Sequence, residues 1–194
     1  SGSGKANKKV LFYFYISKIK PYKVDNIITK LTSDSDFLYV VSFKDSQSII
    51  SIYNYNNLLV KLSELTLDAI VENIQLISYL PAQVGQDKKL LFVSNSKKVN
   101  DNYPFYIIDV TDQSLVDSDI TTVNMSTPSK EIFFDSEKEL IYLSQNDDYK
   151  MDVIDYANNQ IVRTIDMYDF PNAIAISQTL DVNKISLLSE RSSE

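Results

Sequence analysis

The chain writes one phrase three times: IISIYNYNNLLV at 49–60, FYIIDVTDQSLV at 105–116 and MDVIDYANNQIV at 151–162. Each reads as a hairpin, two apolar runs around an Asp/Asn corner, at Asn54–Asn57, Asp109–Gln113 and Asp155–Asn159. A second phrase, an apolar run ending in a small polar residue, recurs as DFLYVVSF (36–43), KKLLFVSN (88–95), KELIYLSQ (138–145) and VNKISLLS (182–189). It sets Ser42, Ser94, Ser144 and Ser189 in the same place, 45–52 residues apart. A third run precedes each of these: NIITKLTS (26–33), NIQLISYL (73–80), KEIFFDSE (130–137) and NAIAISQT (172–179). Pro21, Pro128 and Pro171 stand a few residues ahead of three of them, where a strand is expected to stop pairing.

Each period thus holds about four short strands separated by turn residues. One small twisted sheet cannot hide both of its faces, so such units must stack and fold together. The expected fold is all-β, a small or partial β-propeller of about four blades of four-stranded antiparallel sheets. Residues 8–191 are expected to form the single domain, and residues 1–7, opening on the scar-like Ser1-Gly2-Ser3-Gly4, a flexible tail. Residues 10–21 occupy the place of 161–171 and read as the last part of a blade. Pairing of strand 10–18 with 183–190 closes a four-bladed ring; otherwise a second chain completes it. The run 57–80 fits a helix through Leu58, Leu62, Leu65 and Ala69 as well as two strands; its place in the repeat favours strands.

Outside the opening scar the only glycine is Gly85, so Asn and Asp are expected to supply the positive-φ corners. A formal charge of −7 argues against a nucleic-acid surface and against docking on anionic lipid. The lysines near the start (Lys5, Lys8, Lys9, Lys18, Lys20, Lys23) read as a solvated tail or edge. No apolar run reaches the ~18–20 residues of a membrane-spanning helix.

The chain has no Cys and no His, which excludes thiol or Ser–His nucleophilic catalysis and histidine-ligated metal. No glycine-rich phosphate loop is present. Asp147, Asp148, Asp152 and Asp155 could hold calcium, but the favoured reading is a solvated turn and a corner residue bonded to its own backbone. Asp34 with Asp36, Asp117 with Asp119, and Asp166 with Asp169 read the same way. Neither a catalytic residue nor a metal ligand is assigned, and no cofactor is expected. Most of the 13 tyrosines suit sheet packing. Tyr55, Tyr103, Tyr149 and Tyr168, in loops, are the candidate contacts for a protein partner. Asn124-Met125-Ser126 fits the N-glycosylation triplet, a pattern common by chance.

The strands FLYVVSF, LLFVSN and LIYLSQ, with IYNYNNLLV, IIDVTDQSLV and VIDYANNQIV, resemble the YVTN/YncE-like β-propeller repeats over roughly residues 10–190. The chain departs from that family in lacking the usual blade glycines, and it is too short for a seven-bladed ring. The resemblance implies a cell-envelope or extracytoplasmic protein, often a non-enzymatic binding or scaffold module. The alternatives are a propeller-type hydrolase or lactonase, and a partial propeller completed by a second chain; blade edges are the expected place for self-association. The hydrolase reading is disfavoured by the absence of His and by having only Arg163 and Arg191.

Overall fold

The computed structural model describes residues 10–15, 18–23, 26–57, 59–81, 85–145, 149–167, 171–177 and 184–189; for 10–23 and 171–189 only the backbone pairing is described. Three four-stranded antiparallel sheets carry the described core. Blade 1 is β3 (Ile27–Ser33), β4 (Phe37–Lys44), β5 (Gln47–Asn54) and β6 (Val60–Leu67). Blade 2 is β7 (Val71–Tyr79), β8 (Lys88–Asn95), β9 (Tyr103–Asp109) and β10 (Ile120–Met125). Blade 3 is β11 (Ser129–Asp135), β12 (Leu140–Gln145), β13 (Lys150–Asp155) and β14 (Gln160–Asp166). Two hairpins precede and follow them in sequence, β1 (Val10–Tyr15) with β2 (Lys18–Lys23), and β15 (Pro171–Ser177) with β16 (Lys184–Ser189). The run that also fits a helix forms β6 and β7.

Side-chain alternation explains the stacking. On β4, Tyr39 and Val41 turn to blade 2; on β8, Leu91 and Val93 turn back to meet them, in a core shared with Ile50, Ile52 and Ile108. The intervening Leu90 and Phe92 turn to blade 3, where Ile141, Leu143, Phe134 and Ile154 receive them. A strand buried on both faces needs a continuous apolar run, which is what VVS, LLFVS and LIYLS supply. Each fully buried Leu, Ile or Phe contributes about 1.5–3 kcal/mol. The far faces of blades 1 and 3 are apolar and buried too, at Ile28, Val40 and Tyr53, and at Tyr142, Met151 and Val153. The first strands come together, β7 against β3 and β11, and β15 against β11 and β12. The outer strand β14 is exposed along nearly its whole length. First strands converging and last strands facing outward is the arrangement of a propeller.

The repeated serine has a structural reason. The register of each first strand slips beside it: between Ile28 and Lys30, Val71 and Asn73, Ser129 and Ile132, and Pro171 and Ala173. A β-bulge leaves one residue unpaired and bends the strand, and a small partner makes room for it. Ser42, Ser94 and Ser144 are all buried there, and Ser144 Oγ accepts the Glu131 N–H at 3.0 Å.

Four expectations are corrected. Residues 10–15 pair with 18–23 rather than with 183–190; a two-residue connection makes the local hairpin far less demanding in loop entropy. Pro21 lies inside β2, opposite Phe12, which an outer strand tolerates. FYIIDVTDQSLV is no tight hairpin: a 3-10 turn at Asp117–Asp119 precedes β10, and the connection folds onto blade 1, burying Leu115, whose N–H donates to Ser63 Oγ at 3.0 Å. Positive φ is not confined to Asn and Asp: Asp45, Asn100, Asp101 and Asn159 adopt it, but so do Ser46, Leu59, Gln113, Glu139 and Tyr149.

Candidate functional site

Strand direction sorts the corners onto two ends of the stack. The β3–β4, β5–β6, β7–β8, β9–β10, β11–β12 and β13–β14 connections share one end, here the corner end. There the Asp and Asn residues pin the turns. Asp34 Oδ1 accepts the N–H groups of Asp36 and Phe37, both at 2.8 Å. Asn54 accepts that of Asn57 at 3.0 Å, and Asp109 that of Thr111 at 3.0 Å. Asp135 accepts from Glu137 and Lys138 at 3.1 and 3.2 Å, and Asp155 from Ala157 and Asn158 at 2.9 and 3.2 Å. These side chains brace the corners through the local backbone, while the left-handed positions of four of them fall on Leu59, Gln113, Glu139 and Asn159 rather than on glycine. The Asn158 side chain, foremost, holds the Asp155 carboxyl below the usual range, helped by the two N–H groups.

Asp34 does more. Its Oδ2 receives the Lys89 ammonium of blade 2 at 2.6 Å, and Lys89 lies 5.3 Å from the Phe37 ring centroid. Burial pushes the Asp34 carboxyl up, but Lys89 and the N–H groups of Asp36 and Phe37 outweigh it and hold the carboxyl below the ordinary value. Tyr55 Oη donates to the Asp34 carbonyl at 2.5 Å.

Between blades 2 and 3 the corner end opens into two clefts. One, of about 440 Å³, has Leu90 and Ile107 at its base, with Lys88, Asp109, Ser118, Asp119, Thr121, Tyr156 and Asn159 around it. Lys88 and Asp109 form a loose ion pair at 3.8 Å, and Ser118 Oγ donates to Asp119 Oδ1 at 3.3 Å. The other, of about 530 Å³, is lined by Ser78, Tyr79, Leu80 and the turn Ser136–Glu139. A wall of rings separates them: Tyr79 and Tyr156 meet edge to face at 6.1 Å, with Phe134 against both. Burial pushes the Tyr79 hydroxyl pKa up; Tyr156 and the charges of Glu139 and Asp109 add to the shift.

The four singled-out tyrosines do not share a surface. Tyr55 sits at the corner end and packs partly against Tyr53, Val40 and Leu59. Tyr103 starts β9 and Tyr149 precedes β13, both at the opposite end. Tyr103 is half-buried against the blade 2–3 core, and Tyr149 is 43% exposed. Tyr168 lies outside the described residues, as do Asp147, Asp148 and Asp169. Asp152 is not solvated: it is 2% exposed, bonded to Gln145 and to Thr164 Oγ1, the latter at 2.6 Å. Among the described residues no group of three or more carboxylates could hold a metal ion. Nor is any helix among them long and apolar enough to cross a membrane. The cleft residues Lys88, Thr121, Tyr156, Asn159 and Glu139 carry no motif; their juxtaposition arises from two periods, not one.

Fold and cleft together define an all-β, propeller-type module. The chain is similar to the solved dihydro-heme d1 dehydrogenase NirN in complex with DHE, with a TM-score of 0.65 and 8% identity over 88% of this chain and 36% of that one. It is also similar to two Hsv2 structures from Kluyveromyces lactis. One has a TM-score of 0.58 and 18% identity over 88% of this chain and 47% of that one. The other has 0.57 and 15% over 95% and 57%. All three are β-propellers, and the chain spans less than two thirds of each. No protein-family model and no curated protein matches the chain.

Proposed function

We propose that the chain is a non-enzymatic binding or scaffold module that seats a protein partner on the corner end of its propeller. The observation that carries this reading is the pair of clefts between blades 2 and 3, walled by aromatic rings and flanked by corners that hydrogen bonds hold rigid. Rigid, pre-formed surfaces lose little entropy on binding. Aromatic side chains are enriched at interface centres, and polar groups form the rim around them. The resemblance to YVTN/YncE-like repeats favours a place in the cell envelope. The hydrolase or lactonase alternative would use a metal or an acid–base set, and each cleft offers two carboxylates beside a lysine.

The test is affinity capture on the immobilised protein, run beside Asp119→Arg/Glu137→Arg at the clefts and Asp101→Arg at the opposite end. A partner retained by the native chain and by Asp101→Arg, and lost by the cleft variant, is the expected result. Equal retention by all three, or turnover of a lactone by the purified protein, overturns it.

Self-association through blade edges has its own observation. On β14, Ile161 and Val162 are 39% and 56% exposed, within a run, 160–164, that is exposed at every position, so both faces of this outer strand are open. Unpaired outer strands invite pairing with another chain. Mass in solution decides: a 22.2 kDa monomer rules it out, and a dimer dispersed by Val162→Lys supports it.

A further inference from the structure

The two clefts share a chemistry beyond their shape. Asp109 and Asp119 line one, Glu137 and Glu139 the other, against Lys88 and Lys138. Both lysines already face carboxylates, Lys88 toward Asp109 at 3.8 Å and Lys138 toward Asp135 at 3.6 Å. Asp119, Glu137 and Glu139 have no lysine or arginine within ion-pair distance among the described residues. Each cleft therefore presents spare acceptors and negative potential, and the Tyr79–Tyr156 rings stand between them. Asn159, which lines the first cleft, has its Oδ1 buried and without a hydrogen-bond partner.

Such a surface selects a donor-only, cationic ligand. Arginine and lysine side chains carry donors and no acceptor. A cation beside a tyrosine ring gains from the ring quadrupole. An anion or a nucleic-acid backbone would meet like charge instead.

We propose that the corner end across blades 2 and 3 binds a basic, extended peptide segment of its partner, with arginine or lysine side chains entering the two clefts on either side of the Tyr79–Tyr156 wall. The inference rests on the binding-module reading and names the chemistry of what is bound. Leu90 and Ile107 receive the aliphatic stem of the first basic residue. Asp109 and Asp119 meet its head group, Glu137 and Glu139 that of the second.

The test is titration of the full chain with an acetylated, amidated peptide of alternating Ser and Arg, followed by amide chemical shifts. The control peptide replaces Arg with citrulline, which keeps the shape and removes the charge. Saturable shifts at Thr121, Tyr156 and Glu139 are expected with the Arg peptide. Affinity should fall roughly tenfold or more in Asp109→Asn/Asp119→Asn, a loss of about 1.4 kcal/mol. It should stay within about twofold in Asp68→Asn/Asp101→Asn at the opposite end, where exposed charges contribute little. Asn at position 109 keeps the turn-pinning acceptor, and a thermal melt checks the fold. Equal binding of the citrulline peptide, equal loss in both double variants, or no saturable binding overturns the proposal. A partner captured by the disc but indifferent to these substitutions also overturns it, while leaving the binding-module reading intact.

Discussion

Lys89 of blade 2 closes on Asp34 of blade 1, Nζ to Oδ2 at 2.6 Å, with the side chains only 25% and 14% exposed. The two residues are 55 apart in sequence, so the bond joins blades, not neighbours along a strand. Asp34 also pins its own corner, and the same carboxylate thus holds a turn and the packing of two sheets.

Removing the ammonium by Lys89→Met should lower stability by about 1–2 kcal/mol, because the pair is partly screened yet hydrogen-bonded. For a chain of this size that is a fall in Tm of about 2–4 °C per kcal/mol. The effect depends on pH with a definite sign. Asp34 is held below its unfolded value, so its contribution is complete above about pH 4 and is lost as pH falls through the folded pKa. Melts of both proteins from neutral to acid should show a constant gap down to about pH 4 that narrows below it.

Two equivalent serines should respond oppositely. Ser144 Oγ accepts the bulge N–H of Glu131, whereas buried Ser94 Oγ has no hydrogen-bond partner. Ser144→Ala should cost about 1–2 kcal/mol by stranding a donor, and Ser94→Ala should be neutral or stabilising. Urea midpoints of the two variants check this.

Phe134 packs at 5.1 Å on Tyr79, 5.5 Å on Phe92 and 6.1 Å on Tyr156, so it is the keystone of the blade 2–3 boundary. Phe134→Ala should destabilise by about 3–5 kcal/mol. Hydrogen exchange should rise in β7 and β11 before it does in β4.

Tyr39 is fully buried and its hydroxyl has no partner; burial, with the charge of Asp34, pushes its pKa far up. Tyr39→Phe removes an unsatisfied group without changing shape. It should leave Tm unchanged or raise it by a few degrees, as calorimetry will measure.

The blades were legible because burial on both faces writes continuous apolar runs at a fixed period, as in LLFVS and LIYLS. The bulges were not, since a bulge residue needs no signature of its own; only the recurring serine hinted at it. The β9–β10 connection reads as a hairpin in the sequence because Leu115 looks like a strand residue until blade 1 is there to receive it. The site was least legible. Only residue type marks the four loop tyrosines in the sequence, and of the three described, Tyr103 and Tyr149 sit at the end opposite Tyr55. Lys89–Asp34 and the Tyr79–Tyr156 wall unite residues from different periods, which no local pattern encodes.

The central claim is that successive sheets face one another as blades. Side-chain nuclear Overhauser contacts test it most directly. Cross-peaks between Phe92 and Phe134, whose ring centroids lie 5.5 Å apart, and between Lys89 and Phe37, at 5.3 Å, are predicted together. Their absence, with contacts instead between Val41 of blade 1 and Leu143 of blade 3, would mean a sandwich and would contradict the account.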